Sequence, residues 1–176
     1  MNISAIIPHY PIREELDIKL KRCVDSLPNI QEKIVVVNFG LGFAKSVNYG
    51  LKVAHGEYLF VVNNDVEWRA GNVFDLCKPG IVTSPKVNGK SQPFWGCFFC
   101  IPRDIYTTIG GLDERFEMGY YEDDDYMKRL QEANIPMQSV DSCDVFTEGA
   151  GTMRYLDSIT ISQENKKRYE QKWSKN

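Results

Sequence analysis

The sequence predicts an α/β fold with a mixed, mostly parallel central sheet flanked by helices. Two observations carry that expectation. Short apolar runs alternate with amphipathic helical segments over the first 67 residues, in the order β-α-β-α-β. The connections between them are short enough for right-handed crossovers. The second observation is where the third run ends, in GEYLFVVNNDVE (residues 56–67). A buried strand there stops abruptly at Asn63-Asn64-Asp65, and open α/β sheets bind ligands beyond their carboxyl strand ends.

The elements follow in chain order. ISAIIP (3–8) is a short apolar run stopped by proline, which reads as a buried strand. Leu16, Leu20, Cys23, Val24 and Leu27 recur at helical spacing over residues 14–27. KIVVVN (33–38) reads as a second buried strand. Phe43, Val47, Leu51 and Ala54 mark a second amphipathic helix, with Gly56 placed to end it at C′. EYLFVV is the third strand.

The second half has a different rhythm. GIVTSP (80–85) and PFWGCFFCIP (93–102) read as strands, and residues 103–109 as a short helix ended by Gly110-Gly111. Residues 122–133 read as a helix with Tyr126, Met127, Leu130 and Ala133 inward. Two short strands are expected near 137–140 and 143–146, and a polar last helix over 159–173. At 176 residues the chain fits one domain. Residues 1–67 read as a nucleotide-binding α/β half, 68–152 as a second half that decorates it, and 153–176 as a C-terminal helix.

Composition excludes several classes. With 43% hydrophobic residues the chain has enough apolar surface for a core. A net charge of −3 and no basic stripe argue against nucleic-acid binding. Lys166-Lys167-Arg168 reads as a solvated helix face. No apolar run reaches the ~18 residues of a membrane span, and MNISAIIPHY lacks a basic n-region and a cleavage site. The five cysteines are odd in number and scattered, which suits free thiols and a cytoplasmic protein. Cys97 and Cys100 form a CxxC, but on a strand the two point to opposite faces.

Three strand ends converge on the crevice: Pro8-His9-Tyr10, Asn38, and Asn63-Asn64-Asp65. Asx residues also make ordinary turns. GFAKSVNYG (42–50) brings Lys45 and Asn48 near the start of the second helix, a placement suited to a phosphate or simply to a solvated helix face. In MGYYEDDDYMKRL (118–130) four acids stand in a row. Asp124 precedes Lys128 by four residues, and Asp125 precedes Arg129 by four, so both have helix ion-pair partners. Glu122 and Asp123 have none, which makes them the acids for chemistry. Oxygen atoms at the Asx-rich strand end suit Mn²⁺ or Mg²⁺ bound with a diphosphate. A second carboxylate then serves as base toward a hydroxyl.

In these stretches the sequence resembles the family 2 glycosyltransferases of GT-A fold, rhamnosyltransferase-like members included. ISAIIPHYPIREELDIKLKRCVDSL is similar to the family's opening strand and helix. GFAKSVNYGLKVAHGEYLFVVNNDVE is similar to its phosphate-side helix, third strand and DxD-type motif. GCFFCIPRDIYTTIGGLDERFEMGYYEDDDYMKRL is similar to its acceptor-side segment, and NKKRYEQKWSKN to a basic aromatic tail. The resemblance implies a nucleotide-diphosphate sugar as donor, a glycan or other hydroxyl acceptor, a divalent metal and inversion at the anomeric carbon. It implies Asp65 as metal ligand, with Asn63 where the first Asp often stands. Asp123 takes the position of the general base, with Glu122 orienting the acceptor or supporting Asp123.

The chain also departs from the family pattern. Asn38 is followed directly by Phe39-Gly40-Leu41-Gly42, a shortened loop where the family usually reads the base or ribose. Glu148 stands near the family's late histidine and either completes the metal site or is a surface residue. Trp95, before Gly96 on the sugar and acceptor floor, either stacks on a sugar or belongs to the core. His9 either touches the nucleotide or does not, and His55 reads as a helix-end residue. Two rival functions stay open. A sugar-phosphate nucleotidyltransferase needs a glycine-rich loop after the first strand, and PHYPIREE has no glycine. A nucleotide- or glycan-binding module without catalysis fits the short chain and Asn63. In the glycosyltransferase reading, so short a chain implies an acceptor presented by a partner or by a second subunit of a homo-oligomer.

Overall fold

The computed structural model describes residues 1–149 and 151–174. The C-terminal tail and the stretch after Glu148 are therefore described without residues 150, 175 and 176. The strands are β1 (Ile3–His9), β2 (Glu32–Val37), β3 (Tyr58–Val62), β4 (Val66–Ala70), β5 (Val82–Val87), β6 (Phe98–Pro102) and β7 (Met137–Thr147). The helices are α1 (Glu14–Ser26), α2 (Phe43–Val53), α3 (Arg103–Ile109), α4 (Glu122–Glu132) and α5 (Ser158–Trp173). One seven-stranded sheet runs β2-β1-β3-β6-β5-β7-β4.

β1 and β3 are buried along their whole length, because helices cover both faces of the parallel part. On one face Ile3, Ala5 and Ile7 meet Cys23 and Leu27, the latter two at the end of α1. On the other, Ile6, Leu59 and Val61 meet Ala44, Val47 and Leu51 of α2. α2 lies so close that a Cβ on its Gly50 would run into the Ile6 side chain. Depth of contact, rather than backbone freedom, explains that glycine.

Several sequence expectations need correction. β2 is an edge strand, and Val35 and Val37 are exposed on it. One edge of it is unpaired and only Val36 is buried, although Ile34 packs toward α2, so a run of valines that reads as a core strand lies half in solvent. Gly56 does not end α2 at C′. The helix ends at Ala54, whose N–H bonds to Gly50, and Gly56 instead packs on the Ser4 backbone and donates to the Ser4 hydroxyl at 2.7 Å. Of PFWGCFFCIP only Phe98–Pro102 is strand. The two short strands near 137–146 are one strand, β7, whose pairing with β5 jumps from Val140 to Asp144 at a bulge. Ala133 is exposed rather than inward.

Three elements were not foreseen, one of them a 3₁₀ turn over Met153–Tyr155 where the C-terminal helix was expected to have begun. β4 pairs antiparallel with β7 at the far edge, and a 3₁₀ turn spans Val73–Leu76. The sheet is mixed, with three parallel pairings (β1–β2, β1–β3, β5–β7) and three antiparallel, so "mostly parallel" holds only for its first half. Among the described residues no helix is long and apolar enough to cross a membrane.

α4 and α5 are joined by a buried polar cluster. Asp125 is fully buried and receives Arg129 Nε at 3.0 Å, Lys172 Nζ at 2.5 Å and Trp173 Nε1 at 3.1 Å. Arg129 also donates to the carbonyls of Ile109 and Gly111, fixing the turn after α3. The expected Asp124–Lys128 pair does not form. Lys128 Nζ lies instead 5.6 Å from the Trp173 ring centre, a cation–π contact.

Candidate active site

β1, β2 and β3 run parallel, so their carboxyl ends open at the same side of the sheet. A pocket lies there, lined on this wall by Pro8, His9, Tyr10, Asn38 and Asn63–Asp65. Gly42 and Phe43 at the start of α2 add to it. The facing wall comes from Gly96 and Cys97 before β6, the Met118–Tyr120 loop, and Glu122 and Asp123 opening α4. Gly151–Met153 and Leu156 close it.

Asn63 to Asp65 form the tight turn between β3 and β4, with Val66 N–H on the Asn63 carbonyl at 3.1 Å. Asp65 is buried, and the Thr147 hydroxyl donates to its Oδ2 at 3.0 Å. Gly151 stands against the same carboxylate, where a Cβ would come within 2.9 Å of Oδ2. The Asn63 Oδ1 is buried and has no hydrogen-bond partner among the described residues, and an unsatisfied buried acceptor is costly. A hard cation suits that oxygen and the Asp65 carboxylate. Among the described residues no group of three or more His, Cys, Asp or Glu side chains is placed to hold a metal. An ion held at Asn63 and Asp65 would need substrate phosphates and water to complete its coordination.

His9 and Asn38 line the pocket but spend their polar atoms on the scaffold. His9 Nδ1 accepts from Asn64 Nδ2 at 2.9 Å, and its Nε2 donates to Asp17 at 2.7 Å. Asn38 Nδ2 donates to the His9 carbonyl, and its Oδ1 accepts from Gly40. These bonds tie the β1, β2 and β3 ends together. The His9 ring therefore orients Asn64 instead of presenting a free nitrogen to a nucleotide.

Four expected residues lie elsewhere. Lys45 is exposed on α2 and outside the pocket lining. Asn48 makes a pair of backbone bonds to Leu112 at 2.8 Å, holding the glycine turn after α3. Trp95 packs against the core, with its neighbour Gly96 in the pocket instead. Glu148 turns to Lys19 at 2.7 Å and to Arg154, so it is a surface ion-pair residue, while Thr147 beside it contacts Asp65.

Glu122 and Asp123 do enter the pocket. Gly96 packs directly on the Asp123 carboxylate and leaves no room for a Cβ. Burial, then the Asp124 charge, pushes the Asp123 carboxyl above the usual range. Glu122 is buried, and its Oε2 has no hydrogen-bond partner among the described residues. Burial, then the Asp123 charge, raises its pKa to about 8. A carboxyl whose pKa is raised on folding costs stability once the pH exceeds its unfolded value. The native state keeps a proton that the unfolded chain gives up, so stability falls as pH rises from 4.5 toward 8. Glu122→Gln is expected to remove this slope, gaining on the order of 3 kcal/mol at the alkaline end and nothing at the acid end. Urea midpoints of both proteins across this range check it, and parallel curves would refute it.

Sequence reasoning missed Phe43, Cys97, Met118–Tyr120, Thr152, Met153 and Leu156 as lining residues. Most are apolar or glycine, and nothing in such types distinguishes a pocket wall from a core. Met118, Tyr120 and Tyr121 do carry a structural signal, since all three have positive φ (64°, 71° and 71°).

A half-parallel sheet with helices on both faces, and an Asx-bearing crevice at its strand ends, is the GT-A glycosyltransferase fold. Residues 80–152 match a family model described as the N-terminal domain of galactosyltransferase. Among solved structures the chain is similar to GalNAc-T7 crystallised with UDP, GalNAc and Mn²⁺. The TM-score is 0.67 at 13% identity, over 83% of this chain and 43% of that one. It is also similar to a mutant of Drosophila β1,4-galactosyltransferase 7 in complex with manganese, UDP-Gal and xylobiose. Here the TM-score is 0.57 at 16% identity, over 81% of this chain and 65% of that one. The catalytic domain of the same Drosophila enzyme with xylobiose superposes at 0.55. The chain thus spans 43% to 65% of the length of these structures. No curated protein sequence matches it. The shared fold meets the GT-A expectation, while placement in family 2 rests on the sequence motifs alone.

Proposed function

We propose that this chain is a metal-dependent, inverting glycosyltransferase domain that moves a sugar from UDP-sugar to a hydroxyl of a glycan or lipid-linked acceptor. One observation carries the reading. The Asp65 carboxylate and the orphaned Asn63 oxygen share a single pocket with Asp123 and Glu122. The fold neighbours crystallised with UDP, manganese and sugars support the donor class.

Asp65 and Asn63 would hold Mn²⁺ or Mg²⁺ through oxygen. A bound ion there supplies positive charge for the diphosphate leaving group. The α2 N-terminus at the pocket adds the positive end of a helix dipole. On the facing wall Asp123 accepts the acceptor hydroxyl proton as the oxygen attacks the anomeric carbon. Its raised pKa brings it closer to the working pH of a general base. Glu122, protonated below pH about 8, donates a hydrogen bond that orients the acceptor. A single displacement inverts the configuration. The five free thiols are in keeping with a reducing, cytoplasmic setting.

Thermal shift with UDP-, GDP- and dTDP-sugars, with and without Mn²⁺, tests the proposal. A UDP-sugar at ~100 times its dissociation constant should add about 2.7 kcal/mol of stability. The gain should require Mn²⁺ and vanish in Asp65→Ala. No shift with any nucleotide sugar, or a shift indifferent to both metal and Asp65, would reject it. Stable donor binding without any transfer would favour the non-catalytic module instead, which Asn63 in place of a carboxylate makes chemically reasonable.

A further inference from the structure

We infer that Asn165, on α5 and outside the pocket, is a positioning residue that holds the acceptor-side acids in their working geometry. The inference rests on reading the pocket as a sugar-transfer site. Asn165 is the one buried residue of α5 among those described. Its Nδ2 lies 2.8 Å from the Glu117 carbonyl, 2.7 Å from that of Gly119 and 3.2 Å from that of Tyr120. Two hydrogens serve three acceptors, so one hydrogen is shared. Arg168 Nη1 donates to Asn165 Oδ1 at 2.6 Å and fixes which end of the amide faces the loop.

The gripped segment cannot hold its shape by local preference. Met118, Tyr120 and Tyr121 all sit in the left-handed region, which side chains other than glycine adopt only under compulsion. The compulsion comes from both sides. α2 contributes the Phe43 N–H on the Met118 carbonyl at 3.1 Å, and Gly42 packs against the Met118 backbone. α5 contributes Asn165, and the Tyr169 ring lies 5.7 Å from that of Tyr121. Tyr121 then begins α4, its carbonyl accepting from Asp125 N–H at 2.9 Å. Glu122 and Asp123 are the next residues. Loss of the clamp is therefore transmitted through one helical turn to both acids. The β1–β3 strand ends are held separately by the Asp17–His9–Asn64 chain and Asn38, and the clamped loop touches the nucleotide side only where Gly42 and Phe43 meet Met118.

Asn165→Asp keeps the shape and removes both donors, and Arg168→Gln leaves the amide but releases its far end. Hydrogen exchange over residues 117–125 should quicken ~10-fold or more in Asn165→Asp, with β1–β3 unchanged. UDP affinity in the presence of Mn²⁺ should stay within about two-fold, while kcat drops ~10- to 100-fold at unchanged donor KM, the cost of a misplaced catalytic group. Arg168→Gln should move the same readouts in the same direction by less. Unchanged exchange at 117–125 in either folded variant would overturn the inference, as would nucleotide affinity falling in step with kcat. If the wild-type chain transfers no sugar, the functional reading fails, and the exchange and UDP measurements still decide whether the clamp exists.

Discussion

Asp123→Asn should lower sugar transfer at least ~100-fold and leave nucleotide affinity within about two-fold, as expected for loss of a general base. Asparagine has nearly the same shape, so it keeps the close packing on Gly96, but it cannot accept a proton. Donor binding should persist because Asp65, Asn63 and the β1–β3 strand ends form the opposite wall. The substitution also removes the charge that helps raise Glu122, so any residual activity should show a pH profile shifted to lower pH. Steady-state rates with calorimetric donor titration measure both halves of the expectation. Full turnover in the variant would remove Asp123 from the mechanism.

Arg129→Met should cost roughly 3–5 kcal/mol of folding stability, the usual effect of removing one partner of a buried ion pair. Asp125 has no exposed surface and would keep only Lys172 and Trp173 as partners. Two carbonyls, of Ile109 and Gly111, would also lose their donor. Urea denaturation of wild type, Arg129→Met and Arg129→Met/Asp125→Leu tests this. The double variant should recover part of the loss, since the buried charge leaves with its partner. A single-variant change below about 1 kcal/mol would show that Lys172 alone neutralises Asp125.

Most of the nucleotide-side wall was legible in the sequence, because the strand ends follow directly from apolar runs and their stops. Asn63, Asn64 and Asp65 announce themselves as short polar residues after YLFVV, and they line the pocket. Glu122 and Asp123 were legible by elimination along helix α4, although the Asp124–Lys128 pair used in that elimination does not form. Exposed and buried apolar strands have the same composition, so β2 was misjudged. β4 was hidden because VEWRA alternates too briefly to declare itself. Lys45 and Asn48 sit near a helix start in sequence, but helical rotation carries one into solvent and the other toward Leu112. Asn165 gave no signal, since one asparagine in a polar helix looks like any solvated residue until tertiary contacts bury it.

The pocket has two faces drawn from distant parts of the chain. Residues before position 66 shape one, and residues after position 95 shape the other. Hydrogen bonds cross between them: Thr147 to Asp65, Phe43 N–H to Met118 and Asn63 N–H to Cys97. A change of shape on either face is therefore passed to its opposite, so the two halves of the crevice must be retuned together.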